Sequence, residues 1–115
     1  MPAIDRDRDI VAHILRYCKQ LETAHADFGR SRERFDSSTT YQNAVSMCIL
    51  QIGELVGRLG DEFKASQNSI PWHKIRGMRN YVAHEYGTID LDVVWYTATR
   101  SIEDLKRFCE DYLNG

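Results

Sequence analysis

Apolar residues recur at intervals of three and four along nearly the whole chain, and this spacing limits the possible folds more than any other property of the sequence. Ile10, Ile14, Tyr17, Cys18 and Leu21 show the pattern near the N-terminus. Residues spaced in this way share one face of an α-helix, whereas a half-buried strand needs apolar residues at every second position. The sequence therefore predicts an all-α fold without a sheet.

Helix boundaries follow from the glycines, prolines and capping residues between the amphipathic segments. A first helix is predicted from about Ile4 to about Asp27, after which Gly29 and the polar stretch SRERFDSST interrupt it. A second long helix should end near Gly60, and the sequence DEFKAS after it predicts a short helical piece.

A third main helix should begin at Pro71, because the missing N–H of proline is not needed in a first turn, and Ser69 is a candidate cap. It should stop at Gly87, and Asp90 should cap a last helix. Together the segments predict an up-and-down bundle of four main helices with short helical pieces, in one domain spanning residues 1–115.

Gly53, Gly57 and Gly60 have the spacing that lets another helix come close. Tight packing within the chain is the commoner reason for such a pattern in a soluble bundle, and a dimer contact is the alternative. Glu54 falls near the apolar side of its helix, so it would need a partner such as an arginine if it were buried.

Size and composition narrow the function. A chain of 115 residues can form one core but not two. Its formal net charge of −2 gives no general attraction for nucleic acid, so an anionic ligand would need a local basic site. No apolar stretch reaches the roughly 20 residues of a membrane span and no signal peptide is evident, so a cytoplasmic protein is expected. The three cysteines are predicted to be reduced core thiols, with no metal or cofactor site.

The third main helix carries the stretch RNYVAHEY, residues 79–86. Arg79 and His84 diverge by about 140° around the helix axis, so they flank a polar sector instead of stacking on each other. Small residues at the middle of this sector could accept a second copy of the chain, so that His84 of one copy approaches Arg79 of the other. The sector also contains Trp72, His73, Arg76, Asn80, Ala83, Tyr86 and Gly87, and it lies opposite the apolar stripe of Ile75, Met78 and Val82.

These residue types suit cleavage of RNA without a metal. A neutral His84 could take the proton of a ribose 2′-OH, and Arg79 could stabilise the negative charge on the attacked phosphate. Asn80 could orient the imidazole or the phosphate, and Tyr86 could donate a hydrogen bond to the same phosphate. No carboxylate cluster accompanies them, which argues against a two-metal nuclease.

The structural alternative is a polar helix face whose arginine and histidine are surface residues, or form a salt bridge with Glu85 or Asp90. His13 and His25 are expected on the polar side of the first helix without a function. Trp72 and Trp95 are expected to be core or interface aromatics.

The stretch IPWHKIRGMRNYVAHEYGTIDLDVVW, preceded by QIGELVGRL, resembles the HepT-like family of HEPN domains. The signature of that family is R-x4-H followed by x-Y, which Arg79, His84 and Tyr86 match, with Asn80 directly after the arginine. The resemblance extends over essentially the whole chain.

This resemblance implies an all-helical homodimer that acts as the ribonuclease toxin of a type VII toxin-antitoxin pair, with two R-x4-H motifs forming one metal-independent site across the dimer. Arg76 and His73 would support phosphate binding. The partner would be an MntA-like nucleotidyltransferase antitoxin that silences the toxin by transferring AMP from ATP to Tyr86, so that ATP is the substrate of the antitoxin and not a cofactor of this chain. The alternative is a non-catalytic helical partner that helps a minimal nucleotidyltransferase to bind its nucleotide.

Overall fold

The computed structural model describes residues 3–84 and 89–115, and all regular secondary structure in these ranges is helical. The prediction of an all-α fold with four main helical segments is confirmed. The elements are α1 (Ala3–Asp27), α2 (Arg32–Ser37), α3 (Thr39–Arg58), α4 (Asp61–Ser66), α5 (Trp72–His84), α6 (Leu91–Tyr96), a π-helical turn (Thr97–Ser101) and α7 (Ile102–Asn114).

Helix α3 lies at the centre of the bundle and packs against both α1 and α5. Helix α1 also packs against α7. The apolar faces of these helices meet in one core, and burying a large apolar side chain there stabilises the fold by about 1.5–3 kcal/mol. The largest fully buried side chains include Tyr41, Phe35, Ile14, Leu21 and Leu105.

The polar stretch between α1 and α3 does interrupt the bundle, but it contains a helix that the sequence did not predict. Gly29 adopts a positive φ of 67°, which glycine tolerates and which ends α1. The hydroxyl of Ser31 then accepts the N–H of Arg34 and caps α2, which buries Phe35 in the core. Ser38 in turn caps α3. The interruption is therefore a short helix between two serine caps.

Helix α5 begins at Trp72, directly after Pro71. The carbonyl of Pro71 accepts the N–H of Ile75 at 3.2 Å, so Pro71 is the residue at which the helical bonding starts. The predicted cap at Ser69 is wrong by two positions, because the backbone turns into the helix only at the proline. The predicted stop at Gly87 lies outside the described residues.

One π-helical turn divides the helix that was predicted to run unbroken after Asp90. Asp90 caps this helix as predicted, since its carboxylate accepts the N–H of Asp92 at 2.9 Å. Within the π turn, the carbonyl oxygen of Ala98 lies 3.3 Å from Nε2 of His25. The π turn thus presents a backbone carbonyl to a side chain of α1.

His25 is buried, with 3% of its surface exposed, so its predicted place on the polar side of α1 is wrong. Its Nδ1 is hydrogen-bonded to the hydroxyl of Tyr41. The carbonyl of Ala98 can only accept, so Nε2 carries a proton, and in the neutral ring Nδ1 then accepts the hydroxyl proton of Tyr41. Burial lowers the pKa of His25 from its ordinary value of 6.5.

The three cysteines are buried free thiols, as predicted. Burial raises the pKa of Cys18 and Cys48 and raises that of Cys109 to about 12. In the described part of the chain, no helix has both the length and the apolar character needed to cross a membrane.

Candidate active site

Two glycines of α3 let α5 come unusually close. A Cβ atom added to Gly53 would lie 2.1 Å from Cβ of Arg79, and one added to Gly57 would lie 2.9 Å from Nη1 of Arg76. The third glycine of the pattern, Gly60, instead donates its N–H to the buried carboxylate of Asp7 in α1. These glycines therefore serve packing within the chain.

Glu54 pairs with two arginines of α5 at this close approach. Its Oε1 lies 2.6 Å from Nε of Arg79 and 3.5 Å from Nη1 of Arg76, and Nη1 of Arg76 also donates to the carbonyl of Gly53 at 3.1 Å. Glu54 is 40% exposed, and the arginine partner that was expected for it if buried is present. Two cations and one carboxylate leave this cluster with one net positive charge.

Arg79 is the less exposed of the two arginines, with 27% of its side chain accessible against 41% for Arg76. Its Nε is buried, and although Oε1 of Glu54 is close, the N–H is not aligned for a hydrogen bond to any described residue. At the other edge of the guanidinium, Nη1 donates to Oδ1 of Asn80 at 3.1 Å. Asn80 is itself exposed, so the cluster reaches solvent on its side.

His73 and His84 are both exposed side chains of α5. Within the described ranges, no hydrogen bond or ion pair joins either histidine to Arg76 or Arg79. The structure therefore brings together Arg76, Arg79 and Asn80 of the predicted site, and it leaves the two histidines elsewhere on the same helix.

Trp72 does not belong to the exposed polar sector in which the helical wheel placed it. It is 7% exposed, its ring lies 6.0 Å from that of Phe63 and 5.4 Å from that of Phe108, and its indole N–H donates to the carbonyl of Gln67 at 3.0 Å. The side chains of α4 and α7 cover this end of α5, which confirms Trp72 as a core aromatic and shortens the polar sector.

Tyr86 lies outside the described residues, as do Glu85 and Gly87. A hydrogen bond joins described residues on the two sides of this gap: the hydroxyl of Tyr81 in α5 accepts the N–H of Asp90 at 2.7 Å. Asp90 is the cap of α6, so one hydrogen bond fixes the start of α6 against α5.

The sequence marked Glu54 as part of the stretch that carries the family resemblance and as a carboxylate that would need a partner if buried, but not as a site residue. The available signal for a role in the site was a carboxylate next to Gly53, in a chain whose next main helix carries Arg76 and Arg79. In the described ranges, no group of three His, Cys, Asp or Glu side chains has the arrangement of a metal site.

Comparison with known proteins identifies the family. A family model described as ribonuclease HepT-like matches residues 14–112. A protein of Caldanaerobacter subterraneus subsp. tengcongensis named as a putative RNase is 30% identical over 106 residues, which cover 92% of this chain and 93% of that protein. A probable ribonuclease HepT of Thermococcus cleftensis is 34% identical over 65 residues, covering 56% of this chain and 59% of that one.

A further relative, from Methanocaldococcus jannaschii, is named as a gamma-glutamylcyclotransferase and putative RNase. It is 32% identical over 94 residues, which cover 82% of this chain but only 41% of the relative. No solved structure matches the chain significantly. The matched range of the family model runs from α1 to α7 and includes the whole Glu54, Arg76 and Arg79 cluster. This chain belongs to the ribonuclease HepT-like family.

Proposed function

We propose that this protein is a metal-independent endoribonuclease, the toxin of a type VII toxin-antitoxin pair, and that two copies of the chain complete its active site. The observation that carries the proposal is the position of Arg79 in a HepT-like chain. Its guanidinium is held against α3 by Glu54, reaches exposed Asn80, and shares α5 with an exposed His84.

In the proposed reaction, neutral His84 takes the proton of a ribose 2′-OH while the 2′-oxygen attacks the adjacent phosphorus. As the new P–O2′ bond forms, the P–O5′ bond breaks, and the 5′-oxygen receives a proton from an imidazolium. The products are a 2′,3′-cyclic phosphate and a 5′-hydroxyl. Arg79 stabilises the additional negative charge of the transition state, for which a permanently charged, planar side chain is well suited.

The remaining predicted site residues have supporting roles in this proposal. Asn80 orients the phosphate together with Arg79, to which it is already hydrogen-bonded. Arg76 contributes positive charge, although its Nη1 is bonded to the carbonyl of Gly53. His73 is exposed on the same helix and would contact the RNA outside the cleaved bond.

The proposed dimer follows from the geometry of one helix. Arg79 and His84 are separated by about 140° around the axis of α5, so the two side chains of one copy diverge. An isologous dimer would place the arginine of each copy near the histidine of the other. An exposed His84 and a half-exposed Arg79 are compatible with this arrangement.

The proposed antitoxin is an MntA-like nucleotidyltransferase that modifies Tyr86. The tyrosine oxygen would attack the α-phosphorus of ATP, forming a P–O bond as pyrophosphate leaves and the phenolic proton passes to solvent. The added AMP would bring a negative charge to the site and would exclude the RNA phosphate. Intact mass after co-expression with the neighbouring nucleotidyltransferase gene should show one AMP per chain, and Tyr86→Phe should abolish it.

Purified protein and a single-stranded RNA substrate provide the direct test of the nuclease. We expect cleavage in excess EDTA, a 2′,3′-cyclic phosphate product, and resistance of a substrate with 2′-deoxyribose at the cleaved position. His84→Ala and Arg79→Ala should each reduce the rate by at least about 100-fold, as removal of a positioned acid–base or charge-stabilising group does. His13→Ala, an exposed histidine of α1, is the matched control.

Expression without the antitoxin gene should arrest growth, and the same two substitutions should relieve the arrest. Full toxicity of both variants would show that the site is wrong. Intact RNA under every condition, together with tight binding to the nucleotidyltransferase, would instead identify the chain as a non-catalytic partner.

A further inference from the structure

The geometry points to Glu54 as a positioning residue of this site, which holds the Nε edge of Arg79 so that the outer edge of the guanidinium faces the RNA phosphate. This inference rests on the proposed function, and it concerns a residue of α3 outside the R-x4-H motif. The carboxylate of Glu54 contacts both Arg76 and Arg79 of α5.

The contacts of Arg79 leave a defined part of its guanidinium available. Oε1 of Glu54 lies 2.6 Å from Nε, and Oδ1 of Asn80 accepts from Nη1 at 3.1 Å. The Nε atom is buried, so the carboxylate occupies the inner edge where no solvent anion can compete. Among the residues that the structure describes, Nη2 and the second proton of Nη1 have no hydrogen-bond partner, and these are the donors that the proposal assigns to a phosphate.

Glu54 is itself fixed from the other side. Nη1 of Arg76 lies 3.5 Å from the same Oε1 and also donates to the carbonyl of Gly53, which precedes Glu54 in the chain. The carboxylate therefore stands between two cations, one tied to the backbone of α3. Because Gly53 has no side chain, the stem of Arg79 lies directly on α3, and the whole cluster has little room to rearrange.

A carboxylate beside a phosphate site should weaken RNA binding, because like charges repel. A role in orientation predicts the opposite effect on the reaction rate, since a catalytic group that is misplaced by about 1 Å can lose about 100-fold in rate. Removal of Glu54 should thus separate binding from catalysis. A residue that only stabilised the fold would not produce this separation.

The test measures single-turnover cleavage and RNA affinity for the wild type, Glu54→Ala and Glu54→Gln. For Glu54→Ala we expect cleavage to be slower by about 100-fold, with a Kd for a 2′-deoxy substrate analogue that is unchanged or lower. Glu54→Gln keeps an oxygen near Nε and should be intermediate. The matched control is Glu22→Ala, because Glu22 is 41% exposed against 40% for Glu54 and also pairs between helices, at 2.5 Å from Nζ of Lys106.

An independent readout uses exchange of the Arg79 Nε–H with solvent, measured by NMR. We expect exchange to be slow in the wild type relative to Arg107, which is 72% exposed, and to become faster in Glu54→Ala. Wild-type cleavage by Glu54→Ala, or a loss of rate matched by an equal loss of RNA affinity, would overturn the inference. If the wild-type protein cleaves no RNA, the proposed nuclease fails by itself, and Nε–H exchange as fast as that of Arg107 would reject the inference separately.

Discussion

Two polar clusters connect helices of this bundle, and they differ in charge and in exposure. The cluster between α3 and α5 contains Glu54, Arg76 and Arg79, whose side chains are 27–41% exposed. The other joins α1, α3 and the π turn through His25 and Tyr41, which are neutral and almost fully buried. Of these two clusters, only the first has charged side chains at the surface, where an anion from solution could reach the outer edge of a guanidinium.

If Arg79 acts as proposed, burial separates the structural His25 from the reactive Arg79 more clearly than residue type does. His25 is the histidine with the most specific contacts, yet its ring is enclosed by aromatic side chains and has no route to a substrate. Arg79 has a carboxylate partner and still keeps donors near the surface. The number of specific contacts of a histidine is therefore a poor guide to the candidate site, because His25 has the most contacts and is buried in the core.

The largest expected effect comes from closing the space between α3 and α5. Gly53→Ala places a Cβ atom 2.1 Å from Cβ of Arg79, an atom fixed to the backbone, so the two helices must separate. We expect a loss of about 3 kcal/mol in the free energy of unfolding, at the upper end of the usual cost of overpacking. Urea unfolding measures this loss.

Gly57→Ala is the matched control for that prediction. Its Cβ would meet the guanidinium of Arg76, the far end of a flexible side chain, while alanine is favoured over glycine in a helix by about 1 kcal/mol. We expect little change or a small gain in stability. Equal destabilisation by the two substitutions would mean that the close approach is not centred on Gly53.

The next effect concerns the buried cluster. Tyr41→Phe removes the hydroxyl that donates to Nδ1 of His25 and leaves a buried acceptor without a partner. Such a group costs about 1–3 kcal/mol, and that loss should appear in the free energy of unfolding. RNA cleavage should be unaffected. A change in cleavage without a change in stability would break the distinction between the two clusters.

The same cluster should make stability depend on pH. Because burial lowers the pKa of His25 in the folded state below 6.5, the unfolded chain binds a proton that the folded chain does not. The contribution of His25 to the free energy of unfolding should thus decrease as the pH falls below 6.5 and become constant below the folded-state pKa. Following the ring protons of His25 by NMR gives that pKa directly, and a midpoint at or above 6.5 would contradict the lowered pKa.

The helices were predictable from sequence because apolar spacing reports which face of a segment is buried. The cap at Asp90 and the piece DEFKAS followed from local rules, and both are present. Local rules failed where contacts between helices decide. Trp72 lay in the polar sector of an isolated helical wheel, but α4 and α7 cover that end of α5. The partner of Ala98 in the π turn, His25, lies 73 residues away in sequence.

The motif residues of the candidate site were predictable from the sequence, but the contacts between them and Glu54 were not. Arg79, Asn80 and His84 stand together in the sequence, and Glu54 was expected to need a cation if buried. Which arginine it meets depends on the register between α3 and α5, which no single segment encodes. The facing copy of the site depends on a second chain, so the shared site of Arg79 and His84 stays a prediction.

The smallest expected effect on the free energy of unfolding is that of Glu54→Ala, and it distinguishes the charged cluster from the buried one most clearly. Glu54→Ala removes a half-exposed ion pair, and pairs of this kind contribute about 0–1 kcal/mol because solvent screens them. The free energy of unfolding should therefore change less than it does in Tyr41→Phe, although cleavage should change far more. If Glu54→Ala were as destabilising as Tyr41→Phe in the same urea titration, the charged cluster would be a structural element like the buried one, and its exposure would no longer mark it as the reactive site.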